Sequence, residues 1–223
     1  MTLLKIEKTQ EATMVVADLD GTLLDTLEDL MDSVNYALQT EGFPQRSKQE
    51  IRAFVGNGVA NLVHRTVPKG TPQPIEARCL ETFRAHYANN MNHKTAPYPG
   101  IMPLLNALKQ RGIKMAVSSN KFDAAVKKLC AEQFEGYIDV AIGESETVKK
   151  KPAPDGPLLA LRQLGCRRKD TLYVGDSEVD VDTAKNTGLA CVGVTWGFRD
   201  RDVLEQKGAE YIIDRPEELL RLI

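Results

Sequence analysis

The chain has 223 residues, 42% hydrophobic and 27% charged, with Lys+Arg 29 against Asp+Glu 31 and a formal net charge of -2. That length suits one large domain, or a core carrying a smaller one, of ordinary globular composition. No basic excess points to nucleic acid, and no apolar run approaches the roughly 20 residues of a membrane span.

The segment Met1 to Glu11 is mixed and charged, without the apolar stretch of a signal peptide, so a cytoplasmic protein is expected. Met14-Val15-Val16-Ala17 then reads as a buried first strand, and it ends in Asp18-Leu19-Asp20-Gly21-Thr22. Two acids at such a strand end need a reason. Desolvating an ionised carboxylate is costly unless a cation or hydrogen-bond donors compensate.

Asp25-Thr26-Leu27-Glu28 has capping-box spacing, and Leu27, Leu30, Met31, Val34 and Leu38 follow helical spacing up to Gly42. The pattern predicts further helices over Val59 to Val67 and Ile75 to Asn90, around a Pro/Gly break at Pro68 to Pro74. No strand is evident between Asp25 and Lys94. The stretch reads as an all-helical lid inserted after the first strand, hinged near Leu24-Asp25 and Tyr98-Pro99-Gly100.

From about residue 95 the rhythm changes. A helix is predicted over Ile101 to Arg111, and a strand over Lys114 to Ser118. Further strands follow over Val140 to Ile142, Thr171 to Val174, Cys191 to Val194 and Tyr211 to Ile213. A helix through Ala184 ends at Gly188, and a last one covers Glu217 to Leu222. Alternation of this kind implies βαβ units and a mostly parallel sheet with helices on both faces. Ligands bind such sheets outside the carboxyl ends of the strands.

The polar residues at those ends fit phosphoryl transfer, which needs an in-line nucleophile, cations to offset oxygen charge and a proton donor for the leaving group. Asp18 is the candidate nucleophile, and Asp20 the general acid and then base. Gly21 allows backbone N–H groups to approach phosphate, and Thr22 joins it as a candidate phosphate ligand. Asp18 and Asp176 can share one Mg²⁺, with Asp180, four residues on, supporting the metal. Ser119 and Asn120 can donate to phosphate, and Lys151 can neutralise the nucleophile–phosphate pair. Each element alone has a plainer reading: a solvated Asp-Gly turn, helix N-caps at Asp176-Ser177 and Ser119, and acids favoured by a helix dipole at Asp180 and Asp182. Lys149 and Lys150 read as solvated charges. Cys79, Cys130, Cys166 and Cys191 lack metal spacing and read as buried reduced thiols. His64, His86 and His93 read as surface or packing residues, and Trp196 with Phe198 as a loop packing patch.

Four strings in this order resemble the haloacid dehalogenase superfamily: DLDGTLLD at Asp18 to Asp25, SSNK at Ser118 to Lys121, KPAPD at Lys151 to Asp155 and GDSEVDVDTA at Gly175 to Ala184. The resemblance implies an α/β fold, a Rossmann-like three-layer core with a mostly parallel sheet and an inserted all-helical (C1-type) cap. The core would be residues 1–24 and 95–223, and the cap 25–94. It implies an aspartyl-phosphate on Asp18, acid/base work by Asp20, and phosphate binding by Ser119 and Lys151. Mg²⁺ would be bound by Asp18, Asp20 through its carbonyl, and Asp176, with support from Asp180.

Within the superfamily, FVGNGVANLVHR at Phe54 to Arg65 is similar to the cap loop of the phosphoglycolate phosphatase group. So are Tyr98-Pro99-Gly100 and Val194-Thr195-Trp196-Gly197. Gly56-Asn57-Gly58 opens a helix whose N-terminus suits a small carboxylate, and Arg65 is a candidate for the same anion. The expected substrate is therefore a small phosphorylated metabolite, 2-phosphoglycolate first. Sugar phosphates, nucleotides and pyrophosphate are the alternatives. A sugar phosphomutase is disfavoured because that group usually has Glu where this chain has Gly175. A dehalogenase is disfavoured because halide leaves without a proton, so Asp20 would be idle. A phospho-accepting signalling or binding module is the non-enzyme alternative, but Asp20 would speed loss of a signal that must persist. The expected protein is a monomer or homodimer without nucleic-acid or membrane partners.

Overall fold

The computed structural model describes residues 12–223, so the reading of Met1 to Glu11 lies outside the described residues. Strands β1 (Met14–Ala17), β4 (Lys114–Phe122), β5 (Val140–Glu144), β6 (Thr171–Gly175), β7 (Ala190–Val194) and β8 (Tyr211–Ile213) form one parallel sheet in the order β5-β4-β1-β6-β7-β8. Successive side chains of a strand point to opposite faces. Here both faces are buried, which explains the near-continuous apolar runs. Val15, Ala17, Met115, Val117, Leu172 and Val174 join the core that contains α5 (Ile101–Gln110) and α6 (Asp123–Gln133). Met14, Val16, Ala116 and Tyr173 join a second core with α7 (Asp155–Leu164), α8 (Glu178–Thr187) and Leu204 of α9 (Arg201–Lys207). The result is three layers. The chain leaves β1 toward β4 on one side and returns to β6 on the other, which opens a crevice at the carboxyl ends of β1, β4 and β6.

Four helices, α1 (Leu27–Thr40), α2 (Lys48–Phe54), α3 (Val59–Thr66) and α4 (Gln73–Asn90), lie between β1 and α5. Their apolar faces, including Leu30, Val34, Leu62, Phe83 and Tyr87, belong to the same core cluster as α5 and α6, so the insert packs directly on the sheet domain. The segment expected to lack strands begins with one. Leu24–Asp25 (β2) pairs antiparallel with Ala96–Pro97 (β3), a ribbon too short to show any periodicity. Asp29 secures this neck. Its buried carboxylate accepts hydrogen bonds from the N–H groups of Lys94 and Thr95 and from the Thr95 hydroxyl at 2.8–3.1 Å.

Other departures have local causes. The expected capping box of Asp25 and Glu28 does not form: Glu28 is drawn to Lys48 Nζ at 2.9 Å, and Asp25 Oδ1 accepts only from the Leu27 N–H, at 3.2 Å. A true box lies at Ser47 and Glu50, where it starts α2, a helix the apolar spacing did not reveal. β4 continues past Ser118 to Phe122. The final predicted helix is a 3₁₀ turn, Pro216–Arg221.

Candidate active site

Asp18 follows β1, and its N–H still donates to Val174 O of the neighbouring strand at 2.9 Å, so the backbone there is fixed by the sheet. Asp18 Oδ1 accepts from the Leu19 N–H at 2.7 Å and pairs with Lys151 Nζ at 2.8 Å. Asp18 Oδ2 has no hydrogen bond among the described residues. Lys151 is buried and also donates to Asp180 Oδ1 at 2.7 Å. Asp180 in turn accepts from the Tyr173 hydroxyl at 3.1 Å and, on Oδ2, from the Ser177 N–H and hydroxyl at 3.1 and 2.6 Å. Asp176 Oδ1 accepts from the Thr22 hydroxyl at 3.0 Å, and its Oδ2 from the Phe198 N–H at 2.8 Å. Carboxylate oxygens of Asp18, Asp176 and Asp180 lie within 4.8 Å of one another.

Three buried carboxylates beside one ammonium leave an excess of negative charge. Burial above all pushes the Asp18 carboxyl up, to about 8; Lys151 pulls it down, and Asp180 and Asp176 raise it again. Burial likewise lifts Asp176 to about 7, aided by Asp180 and opposed by the Phe198 N–H and Thr22 hydroxyl. Lys151 stays above the ordinary lysine range: burial works against its charge, but Asp18 and Asp180 outweigh it. An all-oxygen cluster of this kind fits a hard divalent cation, which would offset the repulsion.

Asp20 points to a different set of partners. Lys121, the last residue of the SSNK string, donates from Nζ to Asp20 Oδ1 and Oδ2 at 3.0 and 2.9 Å, and to the Tyr87 hydroxyl of α4 at 2.8 Å. The ammonium also lies 4.8 Å from the centre of the Tyr87 ring. Burial disfavours the Lys121 charge, yet Asp20 and Tyr87 hold it above the usual lysine range. Burial lifts the Tyr87 phenol to about 12, so it is neutral.

The remaining predicted residues divide. Ser119, Gly56 and Gly58 line the pocket with Asp18, Asp20 and Lys151. Asn120 lines it too, but its amide is committed: Oδ1 accepts from the Lys151 N–H at 2.6 Å, and Nδ2 donates to Lys151 O at 3.2 Å and Gly56 O at 3.4 Å. Thr22 is buried beneath the pocket, with its hydroxyl on Asp176. The Gly21 N–H donates to Leu24 O at 2.9 Å, and the residue lies against Asp176, where a Cβ would come within 2.5 Å of Oδ2. Asn57 is exposed. Arg65 turns away from the pocket, with its guanidinium 4.8 Å from the centre of the Phe54 ring on the outer face of the insert.

The insert closes over the site. Leu30, Val55, Val59 and Leu62 form an apolar wall opposite the acids, with Phe198 and Arg199 at the side, leaving a cavity of about 50 Å³. Two arginines cross between insert and core. Arg199 donates to Arg52 O at 3.1 Å and Val55 O at 2.6 Å while paired with Glu178 at 2.9 Å. Arg52 donates to Gly197 O at 3.2 Å and Asp200 Oδ1 at 2.9 Å. Trp196 Nε1 donates to Thr22 O at 3.0 Å, so the loop read as a packing patch also supports Asp176. Sequence reasoning missed Lys121, Tyr87 and Arg199 as site residues; only Lys121 carried a signal, its place in the SSNK string. Cys79, Cys130 and Cys191 are buried free thiols, and Cys166 is half-buried. His64 pairs with Glu76 at the surface and His86 contacts Ser33.

A family model for haloacid dehalogenase-like hydrolases matches residues 15–194. A phosphoglycolate phosphatase of Aquifex aeolicus is 30% identical over 211 residues, covering 94% of this chain and 96% of the relative. One from Pseudomonas syringae pv. tomato is 32% identical over 216 residues, covering 94% of this chain and 78% of the relative. A crystal structure from Lactobacillus delbrueckii subsp. bulgaricus, provisionally named a phosphoglycolate phosphatase, superposes with a TM-score of 0.91 at 34% identity. It covers 96% of this chain and 99% of its own.

Proposed function

This chain belongs to the haloacid dehalogenase-like hydrolase family, and from that premise we propose a Mg²⁺-dependent phosphatase that cleaves a small phosphomonoester, 2-phosphoglycolate foremost, through an aspartyl-phosphate. The observation that carries the reading is the state of Asp18. One carboxylate oxygen is held by Lys151 and the Leu19 N–H, the other has no hydrogen-bond partner among the described residues, and Asp176 is within reach of a shared ion.

In this reading Asp18 Oδ2 attacks phosphorus, and the bond to the leaving oxygen breaks as protonated Asp20 gives that oxygen its proton. Asp20, now ionised, takes a proton from the water that attacks the acyl phosphate. Phosphate departs and Asp18 is restored. Lys151 offsets the charge that builds between carboxylate and phosphate, and Ser119 donates its hydroxyl to a phosphate oxygen. Asp18, Asp176 and the Asp20 carbonyl would hold Mg²⁺, with Asp180 orienting Lys151 beside them. When bound, the ion supplies charge neutralisation at the phosphate oxygens. The working division is a core of residues 1–24 and 95–223 and a cap of 25–94.

Size supports the substrate class. Leu30, Val55, Val59 and Leu62 of the insert face the pocket that Asp18, Asp20 and Ser119 line, which leaves little room beside the phosphate and suits a two- or three-carbon leaving group better than a hexose or a nucleoside. Gly56 and Gly58 bring the start of α3 to the pocket, where free backbone N–H groups favour an anion such as a carboxylate. The names of the relatives point the same way. A panel of about twenty phosphorylated metabolites, read as kcat/KM with Mg²⁺ and with EDTA, tests the proposal. We expect 2-phosphoglycolate to lead by at least about tenfold and EDTA to abolish turnover. A preference for hexose phosphates or nucleotides would overturn the substrate, and full activity in EDTA the mechanism.

A further inference from the structure

We propose that Tyr87 and Lys121 form a positioning relay that holds the Asp20 carboxylate for proton transfer, so that the leaving-group step depends on a residue of the helical insert. The inference rests on the acid/base reading of Asp20 and extends it to two residues that the phosphate chemistry does not need.

Lys121 is 4% exposed, and a buried ammonium is tolerated only when its N–H groups are paired. It has three such groups. Asp20 and the Tyr87 hydroxyl take them all, at 2.8–3.0 Å, so none remains for a phosphate oxygen. Neutralising the phosphate falls instead to Lys151, on the other side of Asp18. Lys121 therefore acts on the reaction through Asp20. Tyr87 acts at one further remove. It is 2% exposed and stacked on Phe83, with ring centres 5.3 Å apart and planes 14° from parallel, so its hydroxyl is a fixed point. Without that hydroxyl one ammonium N–H has no partner and Lys121 is free to pivot about Asp20. A general acid must sit within hydrogen-bond reach of the leaving oxygen, and a displacement of about 1 Å can cost on the order of 100-fold in rate. Asp20 belongs to the loop after β1, Lys121 to β4 and Tyr87 to α4, so the relay is complete only with the insert packed on the core.

The test compares wild type, Tyr87→Phe, Lys121→Met, their double variant and Asp20→Asn on two substrates. One is the alkyl phosphomonoester turned over fastest in the panel, whose leaving group needs a proton; the other is p-nitrophenyl phosphate, whose leaving group does not. Tyr87→Phe should lower kcat for the alkyl ester about tenfold with KM within about twofold, and change p-nitrophenyl phosphate by less than about twofold. Lys121→Met should cost about 100-fold on the alkyl ester. Adding Tyr87→Phe to it should cost less than about twofold more, because the tyrosine acts only through the lysine. A general loosening of the fold would instead lower both substrates alike and accumulate in the double variant. Equal losses on the two substrates for Tyr87→Phe, or additive losses in the double variant, would overturn the relay. If Asp20→Asn also fails to discriminate between the substrates, the acid/base reading itself falls; if it discriminates and Tyr87→Phe does not, only the relay falls.

Discussion

Asp18 and Asp20 lie two residues apart, yet they look to different sides of the pocket. The partners of Asp18, namely Lys151, Asp176 and Asp180, come from loops and helix starts at the carboxyl edge of the sheet. Their hydrogen bonds stay within that edge, through Thr22, Tyr173, Ser177 and the Phe198 N–H. The partners of Asp20 run through Lys121 into the insert at Tyr87. In the proposed mechanism the phosphate side is thus held by residues of the sheet edge, whereas the leaving-group side, like the apolar wall of Leu30, Val55, Val59 and Leu62, involves the helices between β1 and α5. On the proposed mechanism, the contrast separates the phosphate chemistry, at the sheet edge, from selection of the leaving group, on the insert.

Changes on the phosphate side should have the largest effects. Asp18→Asn removes the proposed nucleophile and is expected to lower kcat by at least about 1,000-fold with an unchanged circular dichroism spectrum. Turnover near the wild-type rate would show that another group attacks phosphorus. Lys151→Met leaves Asp18 and Asp180 without their shared cation. It should cost about 3–5 kcal/mol of stability, read from urea unfolding at pH 8 in EDTA, along with most activity. An unchanged midpoint would mean that the buried pair contributes nothing net.

Metal and pH should act together on this side. Asp18 and Asp176 are raised in the folded chain to about 8 and about 7, from 3.8. The folded state therefore binds more protons than the unfolded state between about pH 4 and pH 8, and metal-free stability falls as pH rises through that window. A Mg²⁺ ion held by this cluster would relieve the repulsion, so the Tm gain on adding Mg²⁺ should be at least about twice as large at pH 8 as at pH 5. Equal gains at both values, measured by scanning calorimetry, would contradict the charge cluster.

The insert side should respond more gently, and unevenly. Arg199→Leu removes the hydrogen bonds to Arg52 O and Val55 O that tie α2 to the core. KM should rise about fivefold, since a charged hydrogen bond of this kind is worth on the order of 1 kcal/mol once partly exposed to solvent. Arg65→Ala, on the outer face, should stay within about twofold of wild type in kcat and KM. If the two variants change places, the closed pocket is drawn with the wrong wall.

The six strands, the mostly parallel sense of the sheet and the acids at its edge were legible because each signal is local. An apolar run, a Gly or Pro stop and a carboxylate at a strand end can be read within ten residues of one another. Asp18, Ser119, Lys151, Asp176 and Asp180 were named from such windows, and the fold brings them together. Tyr87 and Arg199 had no such window. Tyr87 sits in a helix where it looks like any core aromatic, and its meaning depends on Lys121, 34 residues away. Arg199 looks like a loop charge until α2 lies over it. Thr22 and Asn120 were read as phosphate donors because a hydroxyl or amide beside a motif is a natural donor; tertiary contacts commit them to Asp176 and to the Lys151 backbone. Arg65 was placed by its nearness in sequence to Gly58, but it sits in the last turn of α3, about 10 Å along the helix axis from Gly58, with its guanidinium on the Phe54 ring and away from the pocket.

The account rests on a phosphoryl group passing through Asp18, and trapping it there is the most direct measurement. Enzyme mixed with 2-phosphoglycolate and Mg²⁺, quenched in acid within the first turnover and digested, should show a phosphorylated peptide containing Asp18, absent when EDTA replaces Mg²⁺. Rapid release of phosphate with that peptide unmodified, or with the phosphoryl group on a different residue, would contradict it.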